Sequence, residues 1–186
     1  MIRAHGIGLR ARLAADTAVL HAELYDDVAG QSRADTRPWR PLPADSAHAP
    51  YAVRDPSETD TPFSVVELAG GELIGEAIVW GIDTHNRFAH LGVALRPAHR
   101  GRGLGGDVVR ALCHYGFVVR GFHRLQLETL ADNAAMIAAA EKAGFVHEGT
   151  LRRAAWVYGE WLDEVVYGLL SEEWSPLQPT ADGHGK

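Results

Sequence analysis

The spacing of hydrophobic and polar positions changes several times along the chain, and each change marks an element. Ile7-Gly8-Leu9-Arg10 alternates as a short strand does, and Asp16 is placed to cap a helix in which Val19, Leu20, Glu23 and Leu24 recur at helical spacing. That helix fades near Gly30. Residues 31–62 then hold six of the nine prolines, which bars a regular central element there and predicts a long loop with at most one helical turn. Trp39 and Tyr51 give this loop apolar anchors, and a loop of this length is expected to act as a substrate-side flap. From Phe63 the texture becomes that of strands: Phe63 to Leu68, the Gly70-Gly71 turn, Leu73 to Trp80 and Phe88 to Leu95, an antiparallel meander. Leu104 to Gly121 carries Val108, Leu112 and Tyr115 at helical spacing, Leu125 to Leu130 reads as a strand, and Asn133 to Ala143 is a helix stopped by Gly144. Val146 to Leu151 and Glu164 to Leu170 close the pattern as two further strands. The order β-α-loop-βββ-α-β-α-ββ predicts one α/β (α+β) domain over residues 1–174 with a mixed, mostly antiparallel sheet, followed by a flexible tail at 175–186.

Composition narrows the class. With 186 residues, 46% hydrophobic and 23% charged, the chain fits a soluble globular domain able to bury a full core. Cys113 is the single cysteine, which excludes an intramolecular disulfide and a multi-thiolate zinc site and fits a reducing compartment. The ten histidines show no metal-ligand spacing, so no metal is expected. No apolar run has the length of a signal peptide's or of a membrane span (~18 residues), which points to a cytoplasmic protein without membrane contact. A net charge of −6 argues against a nucleic-acid partner. Residues 96–124 nonetheless hold six arginines against one acid, Asp107. Such an island in an acidic chain suits a protein that holds a small polyanion at one place and accepts a cation at another.

The island contains the most informative segment, Arg96-Pro97-Ala98-His99-Arg100-Gly101-Arg102-Gly103-Leu104-Gly105-Gly106, set between a strand and a helix. Glycines let successive amides converge, the first helical turn leaves further amides unpaired, and the helix dipole adds positive potential. Arg100 and Arg102 supply full charges for phosphate oxygens. The amides of Gly101 to Gly106, Leu104 included, are thus candidates to hold a diphosphate. Gly101-x-Gly103-x-x-Gly106 also satisfies a dinucleotide fingerprint, with Glu128 about where a ribose-binding acid would stand. Against an NAD(P)-binding Rossmann unit stand the polar run Arg96 to Arg100 before the first glycine and the antiparallel strands before that. A glycine turn with no ligand remains a further reading. No Gly-x-x-x-x-Gly-Lys-Ser/Thr, His-Glu-x-x-His or Gly-x-Ser-x-Gly sequence exists.

Arg100-x-x-Gly103-x-Gly105, after Leu91-Gly-Val-Ala-Leu95 and Arg96-Pro97, resembles the acetyl-CoA pyrophosphate loop of the GNAT superfamily of N-acetyltransferases. Asn133, the helix to Lys142 and Ala143-Gly144-Phe145 resemble the same family's asparagine helix and its ending. The run Phe145-x-x-Glu148-Gly149-x-Leu151-Arg152, with Gly159, Asp163 and Leu169-Leu170, is similar to the RimJ/RimL branch. Matching blocks span about residues 63–174, while 31–62 match nothing.

The resemblance implies a GNAT fold with splayed central strands, here Phe88 to Leu95 and Leu125 to Leu130, and a pantetheine arm inserted between them as an extra strand. Backbone groups of Val93 and Leu95 would hold that arm, Gly92 would mark the distortion, and the Asn133 side chain would bind near the pantetheine amides. The acyl donor would be acetyl-CoA. The acceptor would be a primary amine: a peptide N-terminus, a polyamine, or an amine-bearing metabolite or antibiotic. Relatives in that branch are often dimers, so a homodimer fits the resemblance as well. An alkylammonium with a pKa of ~10.4 must lose its proton before attack, and Glu76, Glu128 and His90 are the candidate bases. The positions where relatives carry a proton-donating tyrosine or serine are Ala140 and Met136 here, which leaves Tyr158, a water or no dedicated acid for the thiolate. Those two residues also keep open a non-catalytic acyl-CoA-binding regulatory module.

Overall fold

A computed structural model describes residues 1–176; of the expected tail, 175–186, all but the first two residues lie outside the described residues. Eight strands make one sheet in the order β1-β2-β3-β4-β5-β6-β8-β7: β1 Ile2–Ala4, β2 Ile7–Arg10, β3 Asp60–Glu67, β4 Leu73–Asp83, β5 Phe88–Leu95, β6 Arg124–Leu130, β7 Val146–Val157 and β8 Glu160–Leu170. Every neighbouring pair is antiparallel except β5 and β6, which run parallel. A parallel pair needs a crossover. Helix α3, Leu104–His114, supplies it, continuing through a π-helical turn at Tyr115–Val119.

The two sheet faces are covered differently. Alternation places Ile7, Leu9, Val65, Ala77, Val79, Ala89, Leu91, Leu125, Leu127 and Leu169 on one face, where they pack in a single core with Val108, Val109 and Leu112 of α3 and with Ala139 and Ala140 of α4, Ala134–Lys142. Helix α1, Ala14–Leu20, its π-helical extension His21–Tyr25 and α2, Val28–Ala34, belong to the chain on the opposite side. There Leu20, Leu24, Tyr25 and Tyr51 form a smaller core with Trp39 and Leu42, which pins the proline-rich segment as its aromatic anchors predict.

Sequence and structure differ at four places. The first three-residue strand, β1, was not expected; it is too short to show a period. The first helix does not fade at Gly30 but resumes as α2, capped by Asp27, whose Oδ1 accepts from the Gly30 amide at 3.0 Å. Strand β3 starts at Asp60 and so includes Pro62, which an unpaired edge allows because β2 pairs only from Ser64 onward. The closing strands extend to Val157 and from Glu160, joined by Tyr158-Gly159 with φ of +43° and +101°. The polar run Arg152-Arg153 hides this extension: Arg153 has a φ of +52° within an irregularity between Leu151 and Ala155.

Among the described residues no helix is long and apolar enough to cross a membrane, and no three His, Cys, Asp or Glu side chains group as metal ligands.

Candidate active site

Strands β5 and β6 pair only from Phe88–Leu91 to Arg124–Leu127. Beyond that they part. β5 runs on to Leu95 against β4, and β6 runs on to Leu130 against β8, so the central sheet opens into a V. The first residue past the last pair is Gly92, where a Cβ would come within 2.8 Å of Ile78 Cγ2. The Arg96 amide donates to the Ile74 carbonyl on β4 at 2.9 Å, so alternation turns the main-chain groups of Val93 and Leu95 towards the opening. There they have no strand partner.

The glycine-rich turn follows at the mouth of the V. Gly101 and Gly103 take φ of +73° and +78°, which only glycine adopts without strain, and Gly103 is the N-cap of α3. A Cβ on Gly101, Gly103 or Gly105 would meet nothing within 4 Å, so the turn is open above all three. Leu104, Gly105 and Gly106 form the first turn of α3, and the Gly106 amide reaches the Gly103 carbonyl at 3.3 Å. The arginine island is mostly not free charge. Arg96 is held by Glu23 at 2.9 Å, Arg102 by Glu67 at 2.7 Å and by His99 Nδ1 at 3.1 Å, and Arg124 by Glu148 at 2.7 Å. Arg100 has no carboxylate partner among the described residues; its Nε donates to the Leu95 carbonyl at 2.9 Å.

On the face opposite α3 the V opens into a cleft of about 610 Å³. Its floor includes Glu76, Ile78 and Trp80 of β4, Gly92 to Ala94 of β5 and Glu128 to Leu130 of β6, and residues 31–37 and parts of 50–62 wall it. The proline-rich segment thus borders the cleft.

Three candidate bases lie in or beside it. Glu76 is held by Arg12 at 2.7 Å, whose side chain is only 3% exposed and also donates to the Phe63 carbonyl at 3.2 Å. Burial pushes the Glu76 carboxyl up, and the Arg12 charge works against that. His90 stacks on Trp80 with ring centroids 4.2 Å apart. Burial of the ring lowers its pKa, Glu128 opposes this and Arg124 adds to it. Glu128 accepts from Gln126 Nε2 at 2.6 Å, and its Oε1 lies 3.5 Å from His90 Nδ1 without a hydrogen bond.

Tyr158 is elsewhere. It occupies the β7–β8 turn, 70% exposed, and does not line the cleft. Asn133 caps α4: its Oδ1 accepts from the Met136 amide at 3.3 Å and its Nδ2 donates to Thr129 Oγ1 at 3.0 Å. Ala140 is fully buried in the core.

One cleft residue, Glu164, and the partner of another, Arg12, escaped the sequence reading. Glu164 on β8 lies opposite Leu130 and shares a face with Glu128, a diagonal neighbour at roughly 7–8 Å. Burial and the charge of Glu128 both raise its pKa. Arg12, the partner of Glu76, lies 64 positions from it in sequence. The β6–β8 register reveals the first contact, and only the folded chain reveals the second.

These features define a class. The acetyltransferase (GNAT) domain family matches residues 7–146, and the chain belongs to that family. A protein of Bacillus subtilis described as a probable N-acetyltransferase, YjcK, is 27% identical over 124 residues, covering 66% of this chain and 68% of that protein; two further curated relatives are matched over 64% and 57% of their own length. The crystal structure of spermidine N-acetyltransferase from Vibrio cholerae with CoA and spermine has a TM-score of 0.76 at 20% identity, covering 91% of this chain and 98% of that one. RimL, a ribosomal L7/L12 alpha-N-protein acetyltransferase in complex with coenzyme A, gives 0.77 at 18% identity, covering 91% and 97%. At such identities these two structures speak for the fold alone. The expected GNAT fold is the observed one, and the Rossmann reading falls with the antiparallel sheet around a single parallel pair.

Proposed function

We propose that the chain transfers an acetyl group from acetyl-CoA to the primary amine of a small cationic acceptor. The observation that carries this reading is the parting of β5 and β6 after Leu91 and Leu127, with an open glycine turn at one end and an acidic cleft on the adjoining face. The residues present fit the acyl donor. Amides of the Gly101–Gly106 turn and Arg100 would take its diphosphate, and the free edge of β5 at Val93 and Leu95 would take its pantetheine as an added strand. Bound there, the donor supplies a thioester open to attack by a neutral amine.

The cleft's own residues handle the acceptor. Asp35 is paired with Arg37, Asp60 with Arg54 and Glu76 with Arg12, whereas Glu128 and Glu164 have no cationic partner among the described residues. An ammonium is therefore drawn to that end, beside the Trp80 ring. Glu128, nearest the V, receives it and accepts its proton directly or through water. Asn133 acts here through its cap of α4, which fixes the end of β6. Arg102 reaches a diphosphate only by leaving Glu67. No side-chain acid stands at Met136 or Ala140.

The acidic end favours a polyamine or other amine-bearing metabolite over a peptide N-terminus, and membership of the RimJ/RimL-like branch and a cytoplasmic setting belong to the same reading. Thiol release from acetyl-CoA across spermine, butylamine, an aminoglycoside and short peptides tests it. Turnover greatest with the polycations supports it. Tight CoA binding with no turnover on any amine would make the chain an acyl-CoA-binding module, as Met136 and Ala140 allow.

A further inference from the structure

Glu128 and Glu164 meet at one end of the cleft, and side chains on β6 fix how the Glu128 carboxylate is presented there. Arg124, Gln126 and Glu128 are alternate residues of the strand and share its face. Glu148 of β7 grips Arg124 through both Nη groups, at 2.7 Å for Nη1, and Gly168 of β8 leaves the space, since a Cβ there would collide with both side chains. Arg124 Nη2 donates to Gln126 Oε1 at 3.1 Å, and Gln126 Nε2 donates to Glu128 Oε1 at 2.6 Å. The polarity of this chain is forced. A guanidinium has no acceptor, so the Gln126 amide faces it with oxygen and must turn its NH₂ to Glu128. An amide donor pairs most strongly with an ionised carboxylate.

We propose that Gln126 is a positioning residue: locked by the Glu148–Arg124 pair, it holds the Glu128 carboxylate towards the cleft and off the His90 ring. The groups around Glu128 agree. Glu164, facing it from β8, is half-buried and lies in the field of its charge, both of which raise its pKa. His90, facing it from β5, lies 3.5 Å from Glu128 Oε1 yet makes no hydrogen bond with it, while Gln126 Nε2 bonds that same oxygen at 2.6 Å. His90 therefore stays neutral and does not compete with an incoming ammonium. That Glu128 then receives the acceptor rests on the acyl-transfer reading; the clamp itself does not.

The test is an NMR titration of the His90 ring in the whole chain, with neither donor nor acceptor added. The parent ring should titrate below an ordinary histidine, because it is buried. Gln126→Met keeps the length and loses the donor, so Glu128 swings onto Nδ1 and the His90 midpoint rises by about one pH unit. In Gln126→Met/Glu128→Gln the rise disappears. An unmoved midpoint in the single variant, or a rise that survives loss of the carboxylate, overturns the proposal; Gln126→Leu carries the same comparison if the methionine variant does not fold. With spermine as the amine, Gln126→Met should lose ~10-fold in kcat/KM while the KM for acetyl-CoA stays unchanged. A chain that shows the His90 shift but acetylates no amine keeps the clamp and loses the acyl-transfer reading.

Discussion

Gly103→Ala separates the cost of a strained turn from the loss of a binding site. Gly103 has a φ of +78° with nothing within 4 Å of a prospective Cβ, so alanine there meets no clash and costs only the left-handed backbone, about 1–2 kcal/mol. For a domain of this size that lowers Tm by about 2–8 °C. If the turn cradles a diphosphate, the methyl group also projects into the space the anion needs and disturbs one charge-assisted amide bond, worth about 1.5–3 kcal/mol, so CoA should bind ~10- to 100-fold more weakly. The matched control is Gly159→Ala in the β7–β8 turn, where φ is +101° and the surroundings are equally open. It carries at least as much strain. Calorimetric titration with CoA should show the affinity falling in the first variant and holding in the second, while both melt earlier. Equal CoA affinity in parent and Gly103→Ala would refute the argument that this turn holds the donor.

Three further outcomes follow from particular contacts. Glu128→Gln should leave Tm and CoA binding in place and lower kcat/KM for the amine by ~10²–10⁴, and undiminished turnover would remove Glu128 as the proton acceptor. Asp16 is partly raised by burial, but the Arg10 guanidinium, the Leu13 amide and the Ser64 hydroxyl overcome this and hold it at about 2. Its folded pKa lies below the ordinary 3.8, so its contribution is complete above that value and is lost as pH falls towards 2; acid titration of Asp16→Asn should be flatter than that of the parent across this window. Leu112→Ala empties a fully buried position of α3 against the sheet and should cost about 2–5 kcal/mol in chemical denaturation, and a loss under 1 kcal/mol would contradict the packing described.

How much of this the sequence disclosed depends on whether the determining contacts are local. The meander, α3, α4 and the glycine turn have short periods and explicit stops, such as Gly144 after α4 with φ of +98°, and all lie where the pattern puts them. Trp39 and Tyr51 were legible as anchors because large aromatics in a proline-rich loop have few other uses. The charge pattern misled. Six arginines in one segment read as a basic patch, but Glu23, Glu67 and Glu148, all distant in sequence, neutralise half of them. Glu164 was invisible for the same reason: it joins Glu128 only through the β6–β8 register, which follows from the hairpin at Tyr158-Gly159 and the irregular β7, neither of which has a clean period. Arg12 shows the limit most plainly, since a lone arginine before a helix carries no sign that it will be buried against Glu76.

The opening between β5 and β6 can be probed at its own amides. Hydrogen exchange of the Val93 and Leu95 N–H groups, followed by NMR with and without CoA, reads whether that edge acquires a partner. Both amides should exchange rapidly in the free chain and slow by more than tenfold once CoA is bound, while Gly92, turned towards β4, changes little. Val93 and Leu95 amides that exchange equally fast with CoA bound would mean that the donor lies somewhere other than between these strands.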